Sequence, residues 1–253
     1  MSINLSKAEL LRINEIQTKY YMKPILERID KFVKTGMSKK LIWIKAFDEI
    51  HELMITSKDD VEKLLIKREK LGEIKSKDQA RKSIAGAVFS NIIIFIFLKN
   101  KETGNISKDI FISSKHKSLK GFEKISTIYV DSETQKPDCD LVIYKLKQDN
   151  NIDKCMILSL KTSLRERAGQ TYKWKLLMEI ASSDNEIKKK YNIRYNPDES
   201  PLVAFATVNF YNEINNPQHR GMFKFFDKSF IAKNIDVDFI NRMSSLVDFL
   251  KTW

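Results

Sequence analysis

Asp138, Asp140, Ser159 and Lys161 are the residues of this 253-residue chain whose types and spacing offer chemistry. They sit at the outer ends of two apolar runs, Leu141-Val142-Ile143-Tyr144 and Met156-Ile157-Leu158, which flank the polar stretch Gln148-Asp149-Asn150-Asn151. Two runs of strand length around a turn-forming cluster predict a β-hairpin. Side chains alternate across a strand, so Asp138, Asp140, Val142 and Tyr144 share one face, and Ser159 and Lys161 likewise share a face. Folding about Asn150-Asn151 sets Asp140 nearly opposite Lys161, within reach of a cross-strand pair. A slip of one residue would send the two to opposite faces. Carboxylates can hold a hard divalent cation through oxygen, and a nearby ammonium can orient a water. That is the equipment of metal-assisted phosphodiester hydrolysis.

Pro137-Asp138, Asp140, Ser159-x-Lys161 and Arg165-Glu166-Arg167, taken together, resemble the PD-(D/E)XK nuclease motif in the form found in type II restriction endonucleases. The resemblance extends over about residues 76–232 in architecture and is specific over 137–175. It implies that Asp138 or Asp140 binds Mg²⁺, that Lys161 assists the attacking water, and that Arg165, Glu166 and Arg167 read bases. Ser159 stands where the motif usually has an acid. In Ser variants a Glu arrives from the following helix, but the matching positions here are Trp174 and Lys175, and the first Glu is Glu179. Glu179, Glu133 and Asp138 are therefore the alternatives for a second acidic ligand. Near position 90, where several such enzymes place a Glu, stand Ser90 and Asn91, so no ligand carries over.

Base reading has a physical basis in these residue types. Arg bonds guanine bidentately and Glu accepts from cytosine N4, so two guanidinium groups with a carboxylate between them suit a G·C pair. Gln170 could read adenine, although a helix cap fits its place better. Each fragment alone has a plainer reading: Pro-Asp is a common turn, and Arg-Glu-Arg could be a solvated first helical turn. Order and hairpin spacing together carry the resemblance. It implies Mg²⁺-dependent, sequence-specific cleavage of double-stranded DNA by a two-fold homodimer. It also implies a cognate DNA methyltransferase in a restriction-modification system and a prokaryotic cytoplasm. The competing readings are a structure-selective repair or junction nuclease of the same fold, and a non-catalytic basic DNA-binding protein.

A formal net charge of +12 predicts attraction to a polyanion, although an AT-rich genome would also inflate lysine. Cys139 and Cys155 make no disulfide scaffold and suggest an intracellular setting. His51, His116 and His219 are isolated, without zinc spacing, which argues against a ββα His-metal nuclease. The N-terminus is polar and lacks the apolar core of a signal peptide. The longest apolar run, Ile92 to Leu98, is too short to span a bilayer, so no membrane partner is expected.

The positioning elements follow from pattern. Residues 5–105 read as helical. Ser6-x-x-Glu9 opens one helix that runs to Gly36, Ser38 opens a second reaching Leu53, Ser57-x-x-Asp60 a third, and Ser76-x-x-Gln79 a fourth. Ile84 to Leu98 is apolar nearly all round, as a central helix is. Lys115, Lys117 and Lys120, with Lys124, form a basic loop suited to phosphate contact or to plain solvation. Strands are expected at 110–112, 125–130 and 202–208, the last a buried parallel member. Residues 209–222 form a long loop open to DNA or dimer contact, 223–226 an edge strand or turn, and 236–250 a closing helix. The expected fold is α/β, a restriction-endonuclease-like mixed sheet of four or five strands flanked by helices. Residues 1–75 would be a helical dimerisation or DNA-clasping region, and 76–253 the catalytic domain.

Overall fold

The computed structural model describes residues 4–253, apart from the side chains of 165–168. The chain forms two compact units. One comprises residues up to Lys108 together with Ile231–Asp236 and Arg242–Trp253; the other comprises Asp109–Phe230 and Val237–Asn241.

The first unit is helical. α1 (Lys7–Thr18) starts with a full capping box between Ser6 and Glu9. A 3₁₀ turn at Tyr20–Met22 separates it from α2 (Lys23–Val33), so the single helix expected to Gly36 is broken in two. α3 (Lys39–Lys45), capped by Ser38, and α4 (Ile50–Thr56) likewise divide the second expected helix. α5 (Lys58–Lys70) is not capped by Ser57, whose buried hydroxyl donates to the Leu53 carbonyl at 2.6 Å instead.

α6 (Lys77–Glu102), capped by Ser76, is the centre of this unit. Ile92 to Leu98 are all buried, because α1, α3, α4 and α5 pack around the helix. By length and composition α6 could cross a membrane, yet 67% of its most apolar stretch is buried inside the fold, as in a core helix. Its end is tied by Asn100, which donates to the carbonyls of Trp43 and Ile96, and by a buried Lys101–Glu9 ion pair at 2.6 Å. The units thus divide at 108/109 rather than at 75/76. The apolar faces of α6 are satisfied by the helices before it.

The second unit contains β1 (Phe111–Ser113), α7 (Phe122–Ser126), β2 (Ile128–Val130), β3 (Glu133–Gln135), β4 (Leu141–Leu146) and β5 (Ile152–Lys161). It continues through α8 (Arg165–Ser182), α9 (Glu186–Lys190), β6 (Ile193–Arg194), β7 (Leu202–Thr207) and α10 (Pro217–Phe223). β8 (Lys228–Ile231) and β9 (Asn241–Arg242) carry the chain back to the helical unit, where α11 (Ser245–Thr252) lies. The main sheet has the order β1-β4-β5-β7-β8-β9 and is mixed: β4 is antiparallel to β1 and β5, while β5 and β7 are parallel. It has six strands against the four or five expected, and a second sheet, β3-β2-β6, stands beside that count.

Other expectations shift with local chemistry. Gly121, at φ +86°, starts α7, which takes Ile125 and Ser126 from the strand expected at 125–130. Residues 217–223 are helical and 224–225 form a turn, so of the two readings of 223–226 the turn stands; the next strand, β8, begins at Lys228 and lies inside the sheet, with β9 at its edge. The closing helix covers 245–252, since Val237 bridges Ile240 and Asn241–Arg242 forms a strand. The α/β architecture with a helical N-terminal region stands as read.

Candidate active site

The hairpin that carries the motif is β4–β5. Leu141 faces Leu158, Val142 faces Ile157 and Tyr144 faces Cys155, with an irregularity between Tyr144 and Leu146. Its turn closes through Lys147 N–H to Asn151 O at 2.8 Å, with Asn150 left-handed at φ +63°, a conformation Asn tolerates better than most residues. Asp140 is pinned twice to β5: its N–H donates to Leu158 O at 3.2 Å, and its Oδ2 accepts from Leu160 N–H at 2.7 Å.

Lys161, at the end of β5, is 8% exposed. Its ammonium donates to Asp138 Oδ2 at 2.5 Å and to Asp140 Oδ2 at 3.4 Å. Both acids therefore reach the same lysine, and Asp138 rather than Asp140 is the nearer. The register expected from the turn favours Asp140; the observed one, with Leu141 opposite Leu158, is two residues off that expectation, which keeps both acids on one face and brings Asp138 nearer the lysine. Their side chains remain more than a third exposed while the lysine is nearly covered. A buried ammonium is thus held at the floor of an open pair of carboxylates. Among the described residues neither Asp138 Oδ1 nor Asp140 Oδ1 takes a hydrogen bond. Two part-exposed carboxylates suit Mg²⁺, which prefers oxygen, keeps several waters and needs only one or two protein carboxylates.

The remaining motif residues fall elsewhere. Ser159 is completely buried and its hydroxyl pairs with that of Thr171 on α8 at 3.1 Å. It is a strand-to-helix tie, closed to substrate. Glu179 does not join the aspartates. It pairs with the buried Lys175 at 2.5 Å, and Lys175 also binds both oxygens of Asp227 at 2.9 Å. Burial pulls the Lys175 pKa down, but its bonds to Glu179 and Asp227 outweigh this and leave it raised. Glu133 lies exposed on β3. Among the described residues no group of three or more acidic, histidine or cysteine side chains could hold a metal.

α8 begins at Arg165, so Arg165, Glu166 and Arg167 occupy its first turn. Their side chains lie outside the described residues. Gln170 is exposed in the second turn of α8, beyond any capping position. Lys115, Lys117 and Lys120 are exposed around a 3₁₀ turn, His116–Ser118, and Lys124 pairs with Asp198.

Two residues near the site carried no signal in the sequence. His116 looked isolated, yet burial and Lys117 lower its pKa while the Asp140 carboxylate pulls the other way. Its Nδ1 is buried and has no hydrogen-bond partner among the described residues. Glu213, in the loop after β7, accepts from the Leu164 N–H at 2.6 Å. Cys139, between the aspartates, and Cys155 are free thiols whose pKa values burial pushes well up.

No curated protein matches the chain. A family model described as BsaWI restriction endonuclease type 2 matches residues 115–252. The matched stretch holds Asp138, Asp140 and Lys161, both hairpin strands, the Arg-Glu-Arg turn and β7 with its following loop. With more than half of its length under that match, the chain belongs to the BsaWI family of type 2 restriction endonucleases.

Proposed function

We propose that the protein cleaves double-stranded DNA at a specific sequence in an Mg²⁺-dependent hydrolysis, with Asp138, Asp140 and Lys161 as its centre. The observation that carries this is the convergence of both aspartates on one nearly buried lysine, with one carboxylate oxygen of each outside those bonds and both side chains more than a third exposed. Asp138 and Asp140 would hold the metal. When bound, Mg²⁺ lowers the pKa of a coordinated water and offsets charge at phosphorus. Asp140, fixed by the Leu160 N–H, would hold its share of the metal site steady against β5. Lys161 donates hydrogen bonds from the end of the same strand and orients the attacking water toward phosphorus. Little freedom is left to it, and positioning of this kind supplies much of an enzyme's rate.

Lys115, Lys117 and Lys120 contact backbone phosphates, a salt-sensitive and sequence-independent contribution. Arg165, Glu166 and Arg167 read base edges from the first turn of α8, with Gln170 one turn on. A palindromic site would be met by a homodimer, for which the helical N-terminal region is the dimerising or DNA-clasping element. A cognate methyltransferase protects the host DNA, and the setting is the cytoplasm of a prokaryote.

The test is incubation with unmethylated bacteriophage DNA, with Mg²⁺ or with EDTA, beside Lys161→Ala. Discrete fragments that require Mg²⁺ and Lys161 are expected, and their mapped ends give the site. A smear would remove the base-reading role. Intact binding without cleavage, on DNA shown to carry many different sequences, would overturn the catalytic one.

A further inference from the structure

The loop after β7 holds a carboxylate that the chemistry above does not use. Glu213 opens a 3₁₀ turn, Glu213–Asn215, and its Oε2 accepts from the Leu164 backbone N–H at 2.6 Å and from the Ser163 hydroxyl at 3.0 Å. Leu164 directly precedes α8 and offers that helix no side-chain cap of its own. A helix start leaves backbone N–H groups unpaired and favours a negative charge nearby. α8 obtains both acceptor and charge from a residue 49 positions away.

A second strut runs beside the first, from Phe210 N–H to the Thr162 carbonyl at 3.3 Å. The loop that presents Glu213 is itself fixed. Asn209 is buried and left-handed at φ +51°; its N–H donates to Thr207 Oγ1 at 2.9 Å and its Oδ1 accepts from Ile214 N–H at 3.3 Å. Ile214 is buried, and His219 Nδ1 meets the Glu213 carbonyl at 2.8 Å. The two struts grip Thr162, Ser163 and Leu164. These are the residues between Lys161 at the end of β5 and Arg165 at the start of α8.

We infer that Glu213 is a positioning residue for cleavage: by fastening the β5–α8 junction to the loop after β7, it fixes the base-reading turn relative to the catalytic lysine. One carboxylate then sets both the rate and the sequence discrimination. This rests on the base-reading role proposed for Arg165, Glu166 and Arg167.

The experiment compares wild type with Glu213→Ala, Glu213→Gln and Ser163→Ala on duplexes carrying the mapped site or a single-base-pair change. Single-turnover rates, DNA affinity, thermal unfolding and amide exchange over 162–170 are measured together. Glu213→Ala should slow cleavage at the mapped site by up to about a hundredfold, the size of effect that a misplacement of about 1 Å produces. It should also narrow the discrimination ratio about tenfold, the worth of one charge-assisted hydrogen bond, and speed exchange at Leu164. Glu213→Gln keeps an acceptor and should recover part of both, and Ser163→Ala should fall between it and wild type. Unchanged rate and ratio in Glu213→Ala overturn the inference. So does a loss of cleavage that follows unfolding alone, with Glu213→Gln indistinguishable from wild type in rate and ratio. If Arg165→Ala and Arg167→Ala leave the ratio untouched, the base-reading role fails. A rate loss with faster Leu164 exchange in Glu213→Ala then still upholds the clamp on Lys161.

Discussion

Asp227→Asn should destabilise the protein by about 2–3 kcal/mol while leaving the Mg²⁺ dependence of cleavage unchanged. The Lys175 side chain is 5% exposed and Asp227 meets it with both oxygens at 2.9 Å. At that separation and an effective dielectric of about 20, the gross attraction is about 6 kcal/mol. Breaking a fully buried pair usually costs about 3–5 kcal/mol, since the partner is left charged and unpaired. Here water reaches Asp227 in part, and Glu179 stays on the ammonium, which places the cost at or below the lower end. Asn retains an oxygen for the Val203 N–H that Asp227 accepts at 2.7 Å, so the substitution isolates the charge.

For a chain of this size the loss amounts to a fall in Tm of about 4–12 °C. Denaturant titration and thermal melts measure it, and the double variant Lys175→Met/Asp227→Asn should return close to wild type. The raised lysine pKa means the pair's contribution persists through neutral pH and is lost as pH rises through that raised value. A change within about 0.5 kcal/mol, the range of ordinary surface substitutions, would refute the argument and show that Glu179 alone satisfies Lys175. A raised Mg²⁺ requirement would refute it differently, placing Lys175 and Asp227 in the metal site.

Ser159→Ala should cost about 1 kcal/mol for the lost Thr171 bond and leave the cleavage rate within a few-fold, as stopped-time assays would read; a loss like that of Lys161→Ala would make Ser159 catalytic. Asp140→Asn and Asp138→Asn should each abolish Mg²⁺-dependent cleavage. Asp140→Ala should in addition loosen the β4–β5 end in amide exchange at Leu160, which Asp138→Ala should not, because only Asp140 accepts that N–H and an Asn would keep an oxygen for it. Cys139 and Cys155 should resist alkylation at pH 8 in the native protein and react on unfolding, as mass spectrometry would show. Their raised pKa values keep them protonated where unfolded thiols ionise, so stability should decline as pH climbs above about 8.5.

Local chemistry was readable and distant chemistry was not. The Ser6, Ser38 and Ser76 caps, the hairpin turn and the buried parallel strand at 202–207 each follow from residues close in sequence. The meeting of Asp138, Asp140 and Lys161 was legible because a hairpin makes a distant pair local. The helix breaks at 19–22 and 46–49 interrupt an apolar pattern that continues through them, so periodicity alone joined what the backbone separates. The position of Glu179 depends on Lys175 and Asp227, and the latter lies 52 residues from the lysine. Glu213 sits in a polar loop with no periodicity, and only the fold brings it to Leu164. The membership of α6 in the helical unit is likewise a matter of which surfaces cover it, which composition does not state.

The helical unit is assembled from both extremes of the sequence described here. Asp48 accepts from Ser244 N–H at 2.8 Å, His51 N–H donates to Ala232 O at 2.9 Å, and Leu246, Val247 and Leu250 of α11 are buried. During synthesis this gives the two units different clocks. The sheet-bearing unit has almost all its residues once Phe230 has emerged, whereas the helical unit must wait for the segment after it. At about 10 residues per second, the 122 residues between Lys108 and Ile231 alone keep it waiting on the order of ten seconds. Through it, the apolar surface that α11 will cover is exposed on the ribosome. Slow translation of the stretch between Lys108 and Ile231 should therefore increase capture of the nascent chain by chaperones, and the capture should end when α11 is released.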